Sequence, residues 1–105
     1  MKTILVVDDD KLNLSAARKV LSGEYKVIPV VRGTQALSYL ENGECDMILL
    51  DISMPEMDGF ELLRKIRTME NCKDTPVIFL TADNDTETET RCFKEGAIDF
   101  IVKPF

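Results

Sequence analysis

The chain contains no histidine, so neither a histidine-based catalytic centre nor a phosphohistidine can form within it. Cysteine is scarce and unpaired in pattern: Cys45, Cys72 and Cys92 are odd in number and far apart. That matches neither a disulfide framework nor a zinc site, and reduced thiols in a cytoplasmic protein are expected. No apolar run approaches the roughly 20 residues of a membrane span. Met1-Lys2-Thr3 leads straight into a short apolar segment, so no signal peptide and no membrane association are expected. The 13 basic residues are scattered among 19 acidic ones, giving a net charge of −6. No basic cluster exists that could track phosphates along a nucleic acid, which argues against direct DNA or RNA binding. Internal repeats and low-complexity linkers are absent as well.

What remains is 105 residues with 45% hydrophobic and 30% charged content, the profile of one soluble domain spanning 1–105. A chain of this size buries roughly 65% of its extended surface, enough for one core. "TILVVDD" (3–9) is a continuous apolar run of the kind covered on both faces of a sheet. Residues 11–22 carry Leu12, Ala16, Ala17, Val20 and Leu21 at helical spacing, and Gly23 ends them. "KVIPV" (26–30) reads as a second strand whose Pro29 suits a sheet edge. Residues 33–43 follow as a short helix with Thr34 as its expected cap and Gly43 as its stop. "DMILLD" (46–51), "PVIFLT" (76–81) and "DFIVK" (99–103) are three further strands, with helices expected over 60–69 and 84–95. Strands alternating with helices imply a parallel sheet with helical crossovers. The expected fold class is therefore α/β, flavodoxin-like and doubly wound, with five strands in the order 2-1-3-4-5.

Such sheets bind ligands at the carboxyl ends of the strands where the winding reverses, here between strands one and three. Strand one ends in Asp8 and Asp9, strand three in Asp51, strand four in Thr81 and strand five in Lys103. Taken singly, Asp8, Asp9 or Asp10 would be a helix-capping acid. Acids on two adjacent strands, with a hydroxyl and an ammonium at the next two strand ends, fit a different purpose. Three convergent carboxylates repel, and a hard divalent cation with oxygen ligands relieves that; Mg²⁺ typically takes one or two carboxylates, waters and a phosphate oxygen.

The stretches "ILVVDDD", "MILLDISMPEMDGFELL", "VIFLTA" and "GAIDFIVKPF" together resemble the receiver domain of two-component response regulators over the whole chain. The resemblance implies that Asp51 accepts a phosphoryl group from a histidine kinase or histidine phosphotransfer protein. It implies Mg²⁺ (or Mn²⁺) held by Asp9 and Asp51, by Asp8 often through water, and by the backbone carbonyl of Ser53. Thr81 would bond a phosphoryl oxygen and Lys103 would pair with it, which makes this transfer by positioning and charge neutralisation. Phe100, by packing logic an ordinary core aromatic, would be a switch residue that moves inward with Thr81. The acidic segment "DNDTETET" (83–90) would belong to a helix whose surface changes on phosphorylation. Ser53 and Asp83 would flank the phosphoryl group and tune attack by water, and the Lys103-Pro104 peptide would be cis. Pro55 and Gly59 also read simply as turn residues.

The implied function is a phosphorylation-dependent signalling switch that is not an enzyme toward other substrates, with an output domain or a homodimer partner as reader. The alternative is a receiver-like interaction module that is never phosphorylated, although this chain keeps the metal acids, the acceptor and the lysine. A haloacid-dehalogenase-type phosphatase would need an acid where Ser53 stands, and a flavodoxin-like cofactor binder would need a phosphate-friendly loop where "DDDKLN" stands. Finally, receivers carry a fifth helix after the "KPF", which this sequence lacks. Right-handed crossovers then leave the first helix alone on its face, and apolar residues of strands three, four and five are expected to be partly uncovered. Either the sequence is a shortened piece of a longer chain or a second copy covers that face through a symmetric contact.

Overall fold

The apolar run Ile4–Val7, mostly β-branched, pairs on both sides within a parallel sheet. The structure, a computed structural model, describes residues 1–104. Its elements in chain order are β1 (Lys2–Val7), α1 (Lys11–Leu21), β2 (Tyr25–Val30), α2 (Gly33–Asn42), β3 (Met47–Asp51), α3 (Gly59–Arg67), β4 (Val77–Thr81), α4 (Thr86–Lys94) and β5 (Asp99–Val102). All neighbouring strands are parallel and the order is β2-β1-β3-β4-β5. Pro29 lies on β2, at the sheet edge, where the lost N–H donor disrupts no ladder. Phe105, the last residue of the "GAIDFIVKPF" stretch, lies outside the described residues.

Alternation along the strands builds two cores. Leu5, Val7, Ile48, Leu50, Val77 and Phe79 pack against α2, α3 and Cys92 of α4. Ile4, Val6, Leu49 and Leu80 pack against Leu14 and Ala17 of α1. Among the described residues α1 is alone on its side of the sheet, as the crossover argument requires.

Several boundaries and faces differ from expectation. β1 stops at Val7 and β5 at Val102, so Asp8, Asp9 and Lys103 stand just beyond the strands. On α1 the buried stripe runs through Leu14 and Ala17, while Leu12 and Val20 are 80% and 70% exposed. The 3.6-residue period puts Leu12 on the far side once Leu14 faces the sheet. Thr34 is not the cap of α2: Arg32 occupies that position without a capping side-chain bond. Gln35 instead reaches back to accept from the Val31 N–H at 2.9 Å.

Apolar residues of β3, β4 and β5 are left partly uncovered on the α1 side, as expected. Leu49 and Leu80 are buried by α1, whereas Met47 and Ile78 are half-buried and Ile101 is exposed. The partly uncovered strip therefore runs from Met47 of β3 through Ile78 of β4 to Ile101 of β5, beside Val20 and Leu21 of α1.

Candidate functional site

Register brings the strand ends into one cluster. Val7 lies opposite Leu50, so the next residues, Asp8 and Asp51, come side by side. Asp51 lies opposite Leu80 and Thr81 opposite Val102, which sets Thr81 and Lys103 on the other flank of Asp51. Asp8, Asp9 and Asp51 each offer a carboxylate oxygen within 4.8 Å of the others. Asp8 and Asp51 are buried and Asp9 is exposed.

Asp10 alone is the helix cap, accepting from the Leu12 N–H at 2.9 Å. Asp8 Oδ1 accepts from the Asp10 N–H at 2.9 Å. Its other oxygen, Oδ2, is buried without a hydrogen-bond partner among the described residues, with Lys103 Nζ 3.6 Å away. Lys103 Nζ donates to Asp51 Oδ1 at 3.0 Å. Burial pushes the Asp51 carboxyl up to about 6; the Lys103 hydrogen bond pulls against this, and the neighbouring Asp8 charge adds to it. Burial works against the Lys103 ammonium, but the Asp51 and Asp8 carboxylates outweigh it and hold its pKa above the ordinary lysine value.

This donor set suits a hard divalent cation. Three oxygen donors converge, one buried oxygen has no hydrogen-bond partner, and one lysine faces two buried carboxylates. The donors are all oxygen, which fits Mg²⁺ or Mn²⁺ rather than a thiophilic metal. The cysteines are free and take no part, since burial raises all three thiols, Cys45 to about 11.

Thr81 is buried, and its hydroxyl is turned into its own loop. It accepts from the Asp83 N–H at 3.0 Å and donates to the Asp83 carbonyl at 3.3 Å. Phe100 is half-buried and meets Phe93 edge-on at 6.1 Å. The Lys103–Pro104 peptide is cis. A cleft of about 380 Å³ opens beside Asp51, with Ser53, Thr81, Asp83 and Lys103 in its walls. Ser53 is exposed on the loop after β3.

That loop is tighter than a turn reading suggests. A Cβ on Gly59 would stand 2.3 Å from the Asp51 carbonyl oxygen, so only glycine lets the amino end of α3 approach β3 this closely. The Gly59 N–H donates to the Ile52 carbonyl at 2.7 Å. Glu56 adopts φ 69°, a left-handed conformation unusual for a side chain of its length.

The cleft is also lined by Phe60, which the sequence places only on the apolar face of its helix, and by Arg91, to which the sequence assigns no role. Arg91 stacks over Phe60 with 4.1 Å from its guanidinium carbon to the ring centroid. The only local signal was its spacing four residues before Glu95, which suits a helical ion pair.

Comparison with known proteins agrees with this fold. Residues 4–105 match the family described as the response regulator receiver domain. A probable cyclic di-GMP phosphodiesterase of Vibrio cholerae is 38% identical over 97% of this chain and 23% of its own length. The two-component response regulator ORR1 of Oryza sativa subsp. japonica is 38% identical over 96% of this chain and 48% of its own length. These matches thus span a quarter to a half of the curated relatives. Among solved structures, the receiver domain of sensor histidine kinase PA1611 from Pseudomonas aeruginosa, with a magnesium ion in its active-site cleft, superposes with a TM-score of 0.88. It is 34% identical, over 99% of this chain and 86% of that one.

Proposed function

Since the chain belongs to the response regulator receiver domain family, we propose that it is a phosphorylation-dependent switch in a two-component or phosphorelay pathway, with Asp51 as acceptor. The observation that carries this is buried Asp51 itself, held 3.0 Å from Lys103 beside an Asp8 oxygen with no hydrogen-bond partner. The donor is a phosphohistidine on a histidine kinase or phosphotransfer protein, the partner that membership of the two-component family supports. The ionised Asp51 oxygen attacks phosphorus in line; an O–P bond forms, the N–P bond breaks, and the leaving imidazole stays with the donor.

Asp8, Asp9, Asp51 and the Ser53 carbonyl would hold Mg²⁺ or Mn²⁺, which when bound neutralises charge on the phosphoryl oxygens. Lys103 stabilises the same charge from the opposite side. Thr81 leaves its Asp83 partners to bond a phosphoryl oxygen, and Phe100 turns inward behind it. The surface of α4, β4 and β5 changes in consequence and is read by an output domain or a second copy. Residues 1–105 act as one receiver unit in the cytoplasm, with no direct nucleic-acid or membrane contact and no substrate besides their own phosphodonor. Among the described residues no helix is long and apolar enough to cross a membrane, which is compatible with that setting.

Titration with Mg²⁺ and beryllofluoride, a phosphoryl mimic, tests the reading. One equivalent should bind and shift amide resonances around Asp51, Thr81 and α4, and Asp51→Asn should abolish the response. A spectrum indifferent to the mimic contradicts the proposal.

A further inference from the structure

Little apolar surface holds α4 down. Cys92 is its one buried residue, and Phe93 is 46% exposed. Its attachment to α3 is polar. Arg64 of α3 forks onto Glu95, the residue capping the end of α4, with Nε donating to Oε1 at 3.2 Å and Nη2 to Oε2. Arg91, one turn earlier, approaches the same carboxylate with Nε 3.7 Å from Oε2 while its guanidinium lies over Phe60. The Glu95 carboxylate is sheltered, its side chain 19% exposed, while Arg64 and Arg91 reach it from solvent and are 58% and 54% exposed. Phe60 in turn is anchored edge-on against Phe79, 4.9 Å between centroids, in the main core.

Arg91 and Phe60 also line the cleft that Asp51, Thr81 and Lys103 share. For the Thr81 hydroxyl to reach a group on Asp51 it must release Asp83. That displaces the short segment leading to Asp85, the residue that caps the start of α4. The amino end of α4 is thus tied to the acceptor site, and its carboxyl half is pinned to α3 through Arg91 and Glu95.

We propose that Arg64, Glu95, Arg91 and Phe60 form a latch that holds α4 on α3 while Asp51 is unmodified and opens in the switched form. It rests on the phosphorylation reading above and names how that site is restrained. One carboxylate serves two guanidinium groups, so neutralising Glu95 leaves like charges facing each other across the α3–α4 seam. Loss of Glu95 therefore drives the helices apart, whereas loss of Arg91 only removes an attraction. A contact made in the unmodified form alone lowers the population of the switched form. Its removal tightens the binding of any ligand selective for that form by the same factor.

The test measures beryllofluoride affinity in the presence of Mg²⁺ by titration calorimetry, together with amide hydrogen exchange over residues 82–95. Glu95→Gln should bind the mimic about three- to tenfold more tightly and exchange faster over 82–95 without it. Arg64→Gln and Arg91→Gln should move the same way by less. Arg91→Lys, which keeps the charge on an exposed side chain but loses the planar stack, gives a second measurement should Glu95→Gln fold poorly. Affinity unchanged or weakened in the folded variants, with the parent chain binding normally, overturns the latch. A parent chain that does not bind the mimic overturns the phosphorylation reading and the latch with it.

Discussion

Lys103 Nζ donates to Asp51 Oδ1 across 3.0 Å, joining the segment after β5 to the end of β3 at the mouth of the cleft. The same ammonium stands 3.6 Å from Asp8 Oδ2, so one cation faces two buried carboxylates. Electrostatics at this point favour extra positive charge or less negative charge, and the stability of the fold should report it.

Asp51 has a folded pKa of about 6 against an ordinary 3.8. For a raised carboxylate, its contribution is fully present below the unfolded value and is lost as pH rises through about 6. Without a divalent cation, Asp51→Asn should stabilise the protein at pH 7 by about 1–2 kcal/mol, and the gain should vanish below about pH 4. Lys103→Met should do the reverse, costing about 2–3 kcal/mol at pH 7 and less in acid, where Asp51 protonates. Urea denaturation across pH 4 to 8 measures both, and parallel curves for parent and Asp51→Asn would contradict the raised pKa.

Divalent metal and proton compete for the same oxygens. Mg²⁺ at ten times its dissociation constant should raise stability by about 1.4 kcal/mol and move the Asp51 titration below 6. Carboxyl-carbon NMR with and without Mg²⁺ reads the second effect directly. Asp9→Asn should blunt both shifts; a Mg²⁺ response unaltered in that variant would place the ion elsewhere.

Ser53 and Asp83 both stand in the cleft wall, and neither closes it. Ser53→Met and Asp83→Tyr should each slow loss of the phosphoryl group, by about three- to tenfold, through restricted water access. Dephosphorylation time courses decide it, and equal rates in parent and both variants would show that these positions do not gate water.

Within the loop after β3, two substitutions should act with opposite signs. Glu56→Gly relieves a φ of 69° and should stabilise by about 0.5–1 kcal/mol, after the extra chain entropy of glycine. Gly59→Ala forces a Cβ against the Asp51 carbonyl and should cost about 2–4 kcal/mol. Thermal unfolding checks both, and a neutral Gly59→Ala would mean that α3 can back away from β3 freely.

Strand identity and order were legible because apolar runs, strand-end acids and an edge proline are local signals. Asp8, Asp51, Thr81 and Lys103 were placed together from order alone, and the register accounts for it. What was not legible depends on distant partners. Leu12 and Val20 look apolar enough to be buried, yet the helix rotation set by Leu14 and Ala17 turns them outward. The Arg64–Glu95 contact joins residues 31 apart in sequence, and no periodicity announces it. Gly59 passed as a turn residue because its neighbour, the Asp51 carbonyl, is visible only once α3 is docked.

The central claim is that Asp51 is the phosphoryl acceptor. Incubation with a phosphodonor and Mg²⁺, followed by borohydride trapping and peptide mass spectrometry, tests it most directly. The account predicts a single modified site, Asp51, absent without divalent metal and absent in a folded Asp51→Asn protein. Label on any other residue, or label that survives in Asp51→Asn, would contradict it.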